Sequence, residues 1–316
     1  MIRTMFTAAA ALSLSGLAAF AEPAVVMAPG GAGGGYDATA RLPLEAMQKD
    51  GIFTDGANYT NKGGAGGTIG LTEFVGANTG NDNAIMSMGV IMVGGILLNN
   101  STVTLDDVTP LVRLTNDTGV IAVAPDSPIQ SVDDLVAAMK ADIGAVSISG
   151  GSSGGVDHIT MALIAKNIGL DPAALNYIPY DSGAESVTAV GGGAVVLAVS
   201  GVSEFKPMAD AGRIKIIAVT SEGRVDGIDA PSLTEAGIPV VTGNWRGIVG
   251  AGGMSDAGKA MWIDRFTKMH EGQAWKDTLA LQGWEDAFLA GDDFAAFLEQ
   301  EKELTAAVLK EVGLIQ

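Results

Sequence analysis

The sequence predicts an α/β fold with two lobes, ending in a helical segment that returns to the first lobe. Short apolar or β-branched runs alternate with amphipathic helical periods up to residue 219, a pattern typical of buried, mostly parallel sheets covered by helices. Beyond residue 255 the pattern is helical throughout. Hydrophobic residues make up 47% of the 316 residues and charged residues only 17%, so the chain can bury a large core.

The first 21 residues have the features of a secretory signal. Arg3 precedes an apolar run over residues 5–20, and Ala19-Phe20-Ala21 forms a cleavage site of the small-x-small type. The alternative, a membrane anchor, is disfavoured because the run is shorter than the roughly 20 apolar residues that a span needs. We therefore expect cleavage before Glu22 and a mature protein in the periplasm.

The boundaries of strands and helices follow from the period of the apolar residues. Strands are predicted at residues 24–27, 84–88, 120–124, 145–149, 195–199 and 214–219. Helices are predicted at residues 37–49, 131–141, 158–168, 183–190 and 203–211. Ser131 is the expected N-cap of its helix because Asp134 follows three positions later. In the helical tail, the expected core residues are Met261, Phe266, Trp275, Leu281, Phe294 and Leu298.

The mature chain divides where one series of strands and helices gives way to another. We expect residues 22–121 and 243–316 to form the first lobe and residues 122–242 the second. The chain would then cross between the lobes at the strand 120–124 and again just before Trp245. Two such crossings can act as hinges that let the lobes close over a ligand.

Charge and rare residue types exclude several classes of protein. The formal net charge of −18 repels phosphate backbones, so nucleic acid is not an expected partner. The absence of cysteine excludes disulfides, thiolate sites and a lipid anchor on cysteine. The two histidines are far apart and the carboxylates are scattered, so we expect neither a metal site nor a cofactor.

Glycine-dense turns carry the main functional signal. They cover residues 29–35, 63–67, 150–155 and 181–183, and three of them lie between an expected strand and an expected helix. Free backbone N–H groups and the helix dipole make such helix starts good anion sites. The alternative is that the glycines merely close tight turns.

Two of these turns also match enzyme motifs. Residues 33–38 fit the dinucleotide pattern G-x-G-x-x-A, a match that is nearly inevitable in a run this rich in glycine. Residues 150–154 fit the nucleophile elbow G-x-S-x-G, with Ser152 as the nucleophile of an exported hydrolase. His158 lies within two turns of Ser152 and cannot occupy the downstream triad position of that fold. The hydrolase stays open as an alternative.

An adhesive surface protein is disfavoured because aromatic residues make up only 5% of the chain.

Taken in order, the loop motifs resemble those of the receptors of tripartite tricarboxylate transporters, the TctC or Bug family. The matching segments are Pro29-Gly30-Gly31, GGGYDATAR at 33–41, GAGGTIG at 64–70, GGSSGG at 150–155 with Asp157-His158, YDSGAE at 180–185, AVTS at 218–221 and NWRG at 244–247. The resemblance covers essentially the whole mature chain. It implies a two-lobe fold like that of type II periplasmic binding proteins and a solute receptor that is not an enzyme. The implied ligand is a small organic carboxylate, delivered by a monomeric receptor to the large and small membrane permease subunits.

Candidate ligand-binding residues follow from the loops and from strand ends on the cleft side. They are Gly34, Tyr36, Asp37, Ser87, Ser152, Ser153, His158, Tyr180, Ser182, Gly183, Ala184, Ser200 and Arg246. Structural alternatives remain for several of them. Asp37 and the serines of the turns could cap helices, His158 could be a structural histidine, and Arg246 could form an ion pair between the lobes.

Overall fold

The computed structural model of the protein describes residues 22–180 and 183–316. The expected signal over residues 1–21 and the candidate Ser182 lie outside the described residues. Within them, strands and helices form two lobes, each with its own set of paired strands and its own cores, and one long strand shared by both sets joins them into a ten-stranded sheet. This confirms the α/β fold class with two lobes.

The first lobe contains one sheet with strands from both ends of the chain. Its strands are β1 (Ala24–Ala28), β2 (Ala57–Asn61), β3 (Ala84–Gly89), the first part of β4 (Val108–Val123), β9 (Gly243–Ala251) and β10 (Glu285–Ala290). β1 is parallel to its neighbours β2 and β3. β9 is antiparallel to both β3 and β4, and β10 is antiparallel to β4.

The second lobe is built around the last residues of β4. Its other strands are β5 (Ser147–Gly150), β6 (Asn176–Pro179), β7 (Leu197–Gly201) and β8 (Lys215–Val219). β5 is parallel to β6 and β7, whereas β7 and β8 are antiparallel to β4. β4 changes partners between Thr118 and Gly119, so a single strand of 16 residues belongs to both lobes.

Two sequence predictions about the sheets are wrong. The strand predicted at 120–124 is the end of a longer one, because the polar residues 115–118 interrupt the apolar pattern of β4. The sheets are also not mostly parallel: in the described part of the chain, four strand pairs are parallel and five are antiparallel. β4 leaves the first lobe and β9 re-enters it, so these two strands must run in opposite directions.

Helices cover both sheets. Those of the first lobe are α1 (Gly35–Lys49), α2 (Thr68–Asn78), α3 (Val90–Leu98), α8 (Asp256–Glu271), α9 (Gln273–Gln282) and α10 (Asp292–Glu311). Those of the second are α4 (Val132–Ala141), α5 (Val156–Asn167), α6 (Gly183–Gly191) and α7 (Val202–Asp210). Ser131 caps α4 as predicted, because its side chain accepts a hydrogen bond from the Asp134 amide. No helix within the described ranges is long and apolar enough to cross a membrane.

The C-terminal segment packs on the first lobe, as predicted, but it is not helical throughout. Gly283 ends α9 in the left-handed conformation, with φ of +67°, and the chain then continues into β10. Leu281, a predicted core residue, is 83% exposed on the outer face of α9. The predicted core residues Phe266 and Trp275 are buried against α1 and β4 together with Trp262, and the three anchor the first core.

Each hydrophobic core cluster lies within one lobe. Two clusters contain residues 24–114 and 245–298, and two others contain residues 120–240. In the second lobe, Leu135 and Met139 of α4 and Ile164 of α5 pack against Ile148 of β5. Because each lobe has its own core, the lobes can move relative to each other at little cost in packing.

Candidate functional site

The main candidate site is a cavity of about 90 Å³ between the lobes, at the carboxyl ends of β1, β2, β3, β5, β6 and β7. Ligands of open α/β sheets bind at this edge. Ten glycines line the cavity: Gly30, Gly31, Gly34, Gly35, Gly63, Gly64, Gly66, Gly67, Gly151 and Gly183. The other lining residues are Pro29, Tyr36, Ile91, Ser152, Asp157, Tyr180, Ser200, Glu204, Asn244 and Arg246.

The cavity wall is dominated by Arg246, which lies near the start of β9. Its side chain is only 5% exposed, and its Nη1 donates to Oδ2 of Asp117 over 3.4 Å. Gly35, the first residue of α1, lies directly against the guanidinium: a Cβ built there would be 2.6 Å from Cζ of Arg246. A guanidinium offers five N–H donors in one plane, so Arg246 can bind Asp117 and still present donors to the cavity.

Asp117 holds Arg246 in place from β4. The Asp117 side chain is fully buried and accepts hydrogen bonds from the Ser203 amide over 3.3 Å and the Ser203 hydroxyl over 2.5 Å. Ser203 belongs to the first turn of α7, so this carboxylate connects the guanidinium to the second lobe. Asp117 and Arg246 both lie in the first lobe, so their ion pair is within that lobe and not the expected inter-lobe pair; the contact with the second lobe is made by the Ser203 hydrogen bonds.

A buried carboxyl, Asp157, faces the cavity from the first turn of α5. Its Oδ2 accepts a hydrogen bond of 2.8 Å from the Gly151 amide. Burial raises the pKa of Asp157 to about 7, and the carboxylate of Glu204 adds to the rise, against the Gly151 hydrogen bond and the charge of Arg246. Asp157 therefore titrates near neutral pH.

Glu204, on α7, places a further carboxylate at the cavity. Its Oε2 accepts a hydrogen bond of 2.5 Å from the hydroxyl of Ser200, the last residue but one of β7. A Cβ at Gly183 would lie 2.7 Å from Cδ of Glu204, so the start of α6 also packs closely against this carboxylate. Ser200 lines the cavity as predicted, but its hydroxyl proton is directed to Glu204.

Tyr36 contributes an aromatic wall with a buried hydroxyl. Its Oη has no hydrogen-bond partner among the described residues, and burial raises the pKa of Tyr36 above its ordinary value. The candidate Ser87 is buried beneath it and donates to the Tyr36 carbonyl over 2.8 Å. Ser87 is not among the lining residues, and in this conformation it supports the turn that carries Tyr36.

Asp37 is engaged within the first turn instead of lining the cavity. It accepts hydrogen bonds from the Gly33 amide, from Nε of Arg41 over 2.7 Å and from Asn61. Burial opposes ionisation, but these hydrogen bonds hold the pKa of Asp37 below its ordinary value. Asp37 is not the helix cap that the structural alternative expected, because Gly34 is the N-cap of α1 and no side chain caps it; Asp37 instead fixes the shape of the glycine turn.

His158 also stabilises a glycine turn. Its Nδ1 accepts a hydrogen bond of 3.1 Å from the Gly154 amide, and its ring stacks on Tyr177 at 4.2 Å. Burial lowers the pKa of His158 to about 4, so the ring is neutral at physiological pH. Because the Nδ1 lone pair is used by Gly154, this nitrogen does not activate Ser152.

The remaining candidates divide between the cavity and its surroundings. Gly34, Ser152, Tyr180 and Gly183 line the cavity. Ser153 and Ala184 are not among its lining residues, and Ala184 is exposed. The structure thus brings the three predicted loops together at one cavity. Each loop lines it with a glycine (Gly34, Gly151 and Gly183), so backbone atoms contribute to the wall as well as the hydroxyl groups predicted from the sequence.

Sequence reasoning missed the acidic side of the site. Asp117, Asp157, Glu204 and Asn244 were not among the candidates, although all four contact or line the cavity region. One signal was available: Glu204 follows Ser200 by four residues, one helical turn beyond a predicted strand end. The pairing of Asp117 with Arg246 joins residues 129 positions apart, which no local pattern indicates.

A second groove, of about 790 Å³, lies between α5 and α10. Apolar residues of both helices line it, including Ile159, Leu163, Leu304 and Val308. Lys166 of α5 and Glu311 of α10 form an ion pair that spans the two helices. The groove contains no buried cation among its lining residues, so it is less suited to an anion than the smaller cavity.

Comparison with known proteins agrees with this architecture. The family model described as tripartite tricarboxylate transporter family receptor matches residues 53–314. A protein of Cupriavidus necator encoded in the gbd 5′ region is 26% identical over 287 residues, covering 90% of this chain and 85% of that protein. Among solved structures, MatC from Rhodopseudomonas palustris with bound malate is 18% identical with a TM-score of 0.80, covering 91% of this chain and 99% of that one. An R. palustris protein with adipate is 20% identical with a TM-score of 0.83, covering 92% and 97%.

The two solved structures show that the fold is shared, and the family model extends over most of the chain. The family is one of solute receptors, which confirms the predicted resemblance and the prediction that the protein is not an enzyme. The exported hydrolase built on Ser152 is therefore wrong. The chain belongs to the family of tripartite tricarboxylate transporter receptors.

Proposed function

We propose that the protein binds a small organic carboxylate between its lobes and delivers it to the membrane permease of a tripartite tricarboxylate transporter. The observation that carries this proposal is the position of Arg246, a buried guanidinium on the wall of a cavity otherwise lined by glycine turns. Carboxylates accept two parallel hydrogen bonds from a guanidinium, which gives both affinity and orientation. The malate and adipate named for two proteins of the same fold support this ligand class.

Backbone amides supply the second part of the binding site. The α1 helix begins at Gly35 with no side-chain cap, and Gly34 and Gly35 both line the cavity. Uncapped amides at a helix start favour an anion. The net charge of −18 does not prevent binding, because salt screens exposed charges beyond about 8 Å while the amides and Arg246 act at contact distance.

The lobes close over the ligand through two hinge strands. We place the hinges in β4, where it changes partners at Thr118 and Gly119, and at residues 242–243 before β9. The Gly119 amide donates to Oγ1 of Thr220 over 2.9 Å, and that hydroxyl donates to the Thr242 carbonyl over 2.7 Å, so the two crossings are joined. We therefore assign residues 22–118 and 243–316 to one lobe and residues 119–242 to the other, which places the boundary in β4 three residues earlier than the sequence suggested.

Contact between the lobes supports a closing motion. Gly94 of α3 packs against the Gly154 carbonyl of the second lobe so closely that a Cβ would overlap with it.

The cavity of about 90 Å³ suits a molecule of a few carbon atoms, since a cavity of roughly 150 Å³ holds benzene. The protein acts as a monomer in the periplasm, after export through residues 1–21.

Binding of carboxylates is tested by a thermal shift and calorimetric panel of malate, adipate and citrate. We expect malate, with four carbons, to give the largest shift, because it best matches the cavity. A ligand present at 100-fold above its Kd adds about 2.7 kcal/mol to the free energy of unfolding. Malamide, the neutral diamide of malate, is the matched control and should not bind. Binding of malamide as tight as that of malate, or no binding of any acid, would contradict the proposal.

A further inference from the structure

The cavity proposed to bind an anion carries two carboxyl groups of its own. Asp157 and Glu204 line it from the second lobe, whereas Arg246 is the one cationic residue among the described lining residues. With both carboxyls ionised, the lining residues carry a net charge of −1, and a ligand carboxylate would bring more negative charge into this space. Like charges at such short range disfavour the ionised form of at least one group.

Of the two, Asp157 is better placed to be neutral. It is buried, and no cation lies within hydrogen-bond distance of it among the described residues. Its Oδ2 accepts the Gly151 amide, which leaves Oδ1 without a described hydrogen-bond donor. Glu204 is less buried and already accepts the short hydrogen bond from Ser200.

The groups that face Asp157 come from six elements, its own helix included. The amide of Gly151 after β5 and the guanidinium of Arg246 on β9 favour the carboxylate, and the carboxylates of Glu204 on α7 and Asp117 on β4 disfavour it. Tyr177 on β6 donates its hydroxyl to the Gly151 carbonyl over 2.8 Å and so does not neutralise Asp157. His158, the next residue on α5, is neutral because burial lowers its pKa.

We propose that a carboxylate ligand enters this cavity together with one proton, which Asp157 holds. The inference rests on the proposed function. The step takes one proton from solvent and breaks no covalent bond: the Asp157 carboxylate becomes a carboxyl, whose O–H donates to the ligand carboxylate. A hydrogen bond from O–H to a carboxylate is among the stronger hydrogen bonds in proteins, and it replaces a repulsive contact.

The direction in which affinity changes with pH follows from the pKa of Asp157 in the ligand-free protein. Asp157 has a pKa of about 7 without ligand, and a bound anion raises that pKa further. Below about pH 7 the proton is already present and the affinity is constant. Above it, binding must take up the proton, so the affinity falls by up to tenfold for each pH unit.

The test is calorimetry of malate, adipate and citrate between about pH 6 and pH 8.5, in pairs of buffers with different enthalpies of protonation. Ordinary carboxyl groups have pKa values of about 4, so malate and adipate stay ionised across this range. We expect affinity at the highest pH to be roughly 10-fold to 30-fold lower than at the lowest. Proton uptake should approach one per ligand above pH 7.

Two variants test whether Asp157 is the group that holds the proton. Asp157→Asn mimics the protonated side chain and can still accept the Gly151 amide, so its affinity should not change with pH for malate or adipate. Glu204→Gln should keep the pH dependence but shift its midpoint to lower pH, because one of the charges that raises the pKa of Asp157 is gone. Thermal melts of both variants confirm folding.

The outcomes separate this inference from the function on which it rests. Binding of an acid with no pH dependence and no proton uptake in the wild-type protein overturns the inference and leaves the receptor function standing. A wild-type pH dependence retained in Asp157→Asn also overturns it, since the proton is then held elsewhere. Failure of all three acids to bind at any pH overturns both.

Discussion

Replacing Arg246 with methionine is expected to abolish carboxylate binding and to destabilise the protein strongly. Hydrogen bonds to a charged group contribute about 1.5–3 kcal/mol each, so the loss of two weakens binding by more than about 100-fold. The substitution also leaves Asp117 buried without its cation. Breaking a buried ion pair from one side costs about 3–5 kcal/mol. Urea denaturation measures the second effect and calorimetry with malate the first.

The double variant Arg246→Met with Asp117→Asn separates these two effects. Removing both charges eliminates the unpaired carboxylate, so most of the stability should return. Binding should remain absent, because the donor that faces the cavity is still missing. Wild-type affinity in the double variant would mean that the guanidinium maintains the fold and does not contact the ligand.

The second large effect is expected from Gly35→Ala, a change of one methyl group. The new Cβ would lie 2.6 Å from Cζ and 2.9 Å from Nε of Arg246, so the guanidinium must move. It has little freedom to do so, because it is buried and held by Asp117. We expect malate affinity to fall by roughly 10-fold to 100-fold, with an overpacking cost of about 1–3 kcal/mol in the free energy of unfolding.

The adjacent Gly34→Ala is the matched control. A Cβ at Gly34 would be 3.3 Å from the Gly31 carbonyl oxygen and would not touch Arg246. Gly34 has an extended backbone, with φ of −84° and ψ of 178°, that alanine also adopts. The Gly34→Ala variant should therefore lose less malate affinity than Gly35→Ala, because the added methyl group narrows the cavity but leaves the guanidinium in place. Equal losses in the two variants would argue against a specific role for the Gly35 contact.

The parts of the fold that the sequence predicts well are those in which one local pattern determines the structure. α4 begins where Ser131 caps it, and the buried strands β1 and β3 match their apolar runs. β2 and β10 were missed because exposed polar residues interrupt the apolar pattern, namely Asn58 and Thr60 in β2 and Glu285 and Asp286 in β10. The strand predicted at 145–149 begins later, at Ser147, because Asp142 caps a short 3₁₀ turn at Ile143–Ala145.

For the site, too, the sequence predicts only what a local pattern determines. Glycine turns are local signals, and they led to Gly34, Tyr36, Ser152 and Gly183, which all line the cavity. The charges that decide how an anion is held come from segments that meet only in the folded protein. A burial-induced pKa of about 7 for Asp157 depends on β5, α7 and β9 together, so the sequence around residue 157 contains no sign of it.

A crystal structure of the protein with the acid that binds most tightly in the panel would show directly how the ligand is held. We expect a ligand carboxylate within hydrogen-bond distance, about 2.7–3.2 Å, of the Arg246 guanidinium and of amides in the Gly34 and Gly35 turn. A second polar group of the ligand should face Asp157. An acid found instead in the groove between α5 and α10, with the cavity around Arg246 holding only water, would show that Arg246 does not bind the ligand.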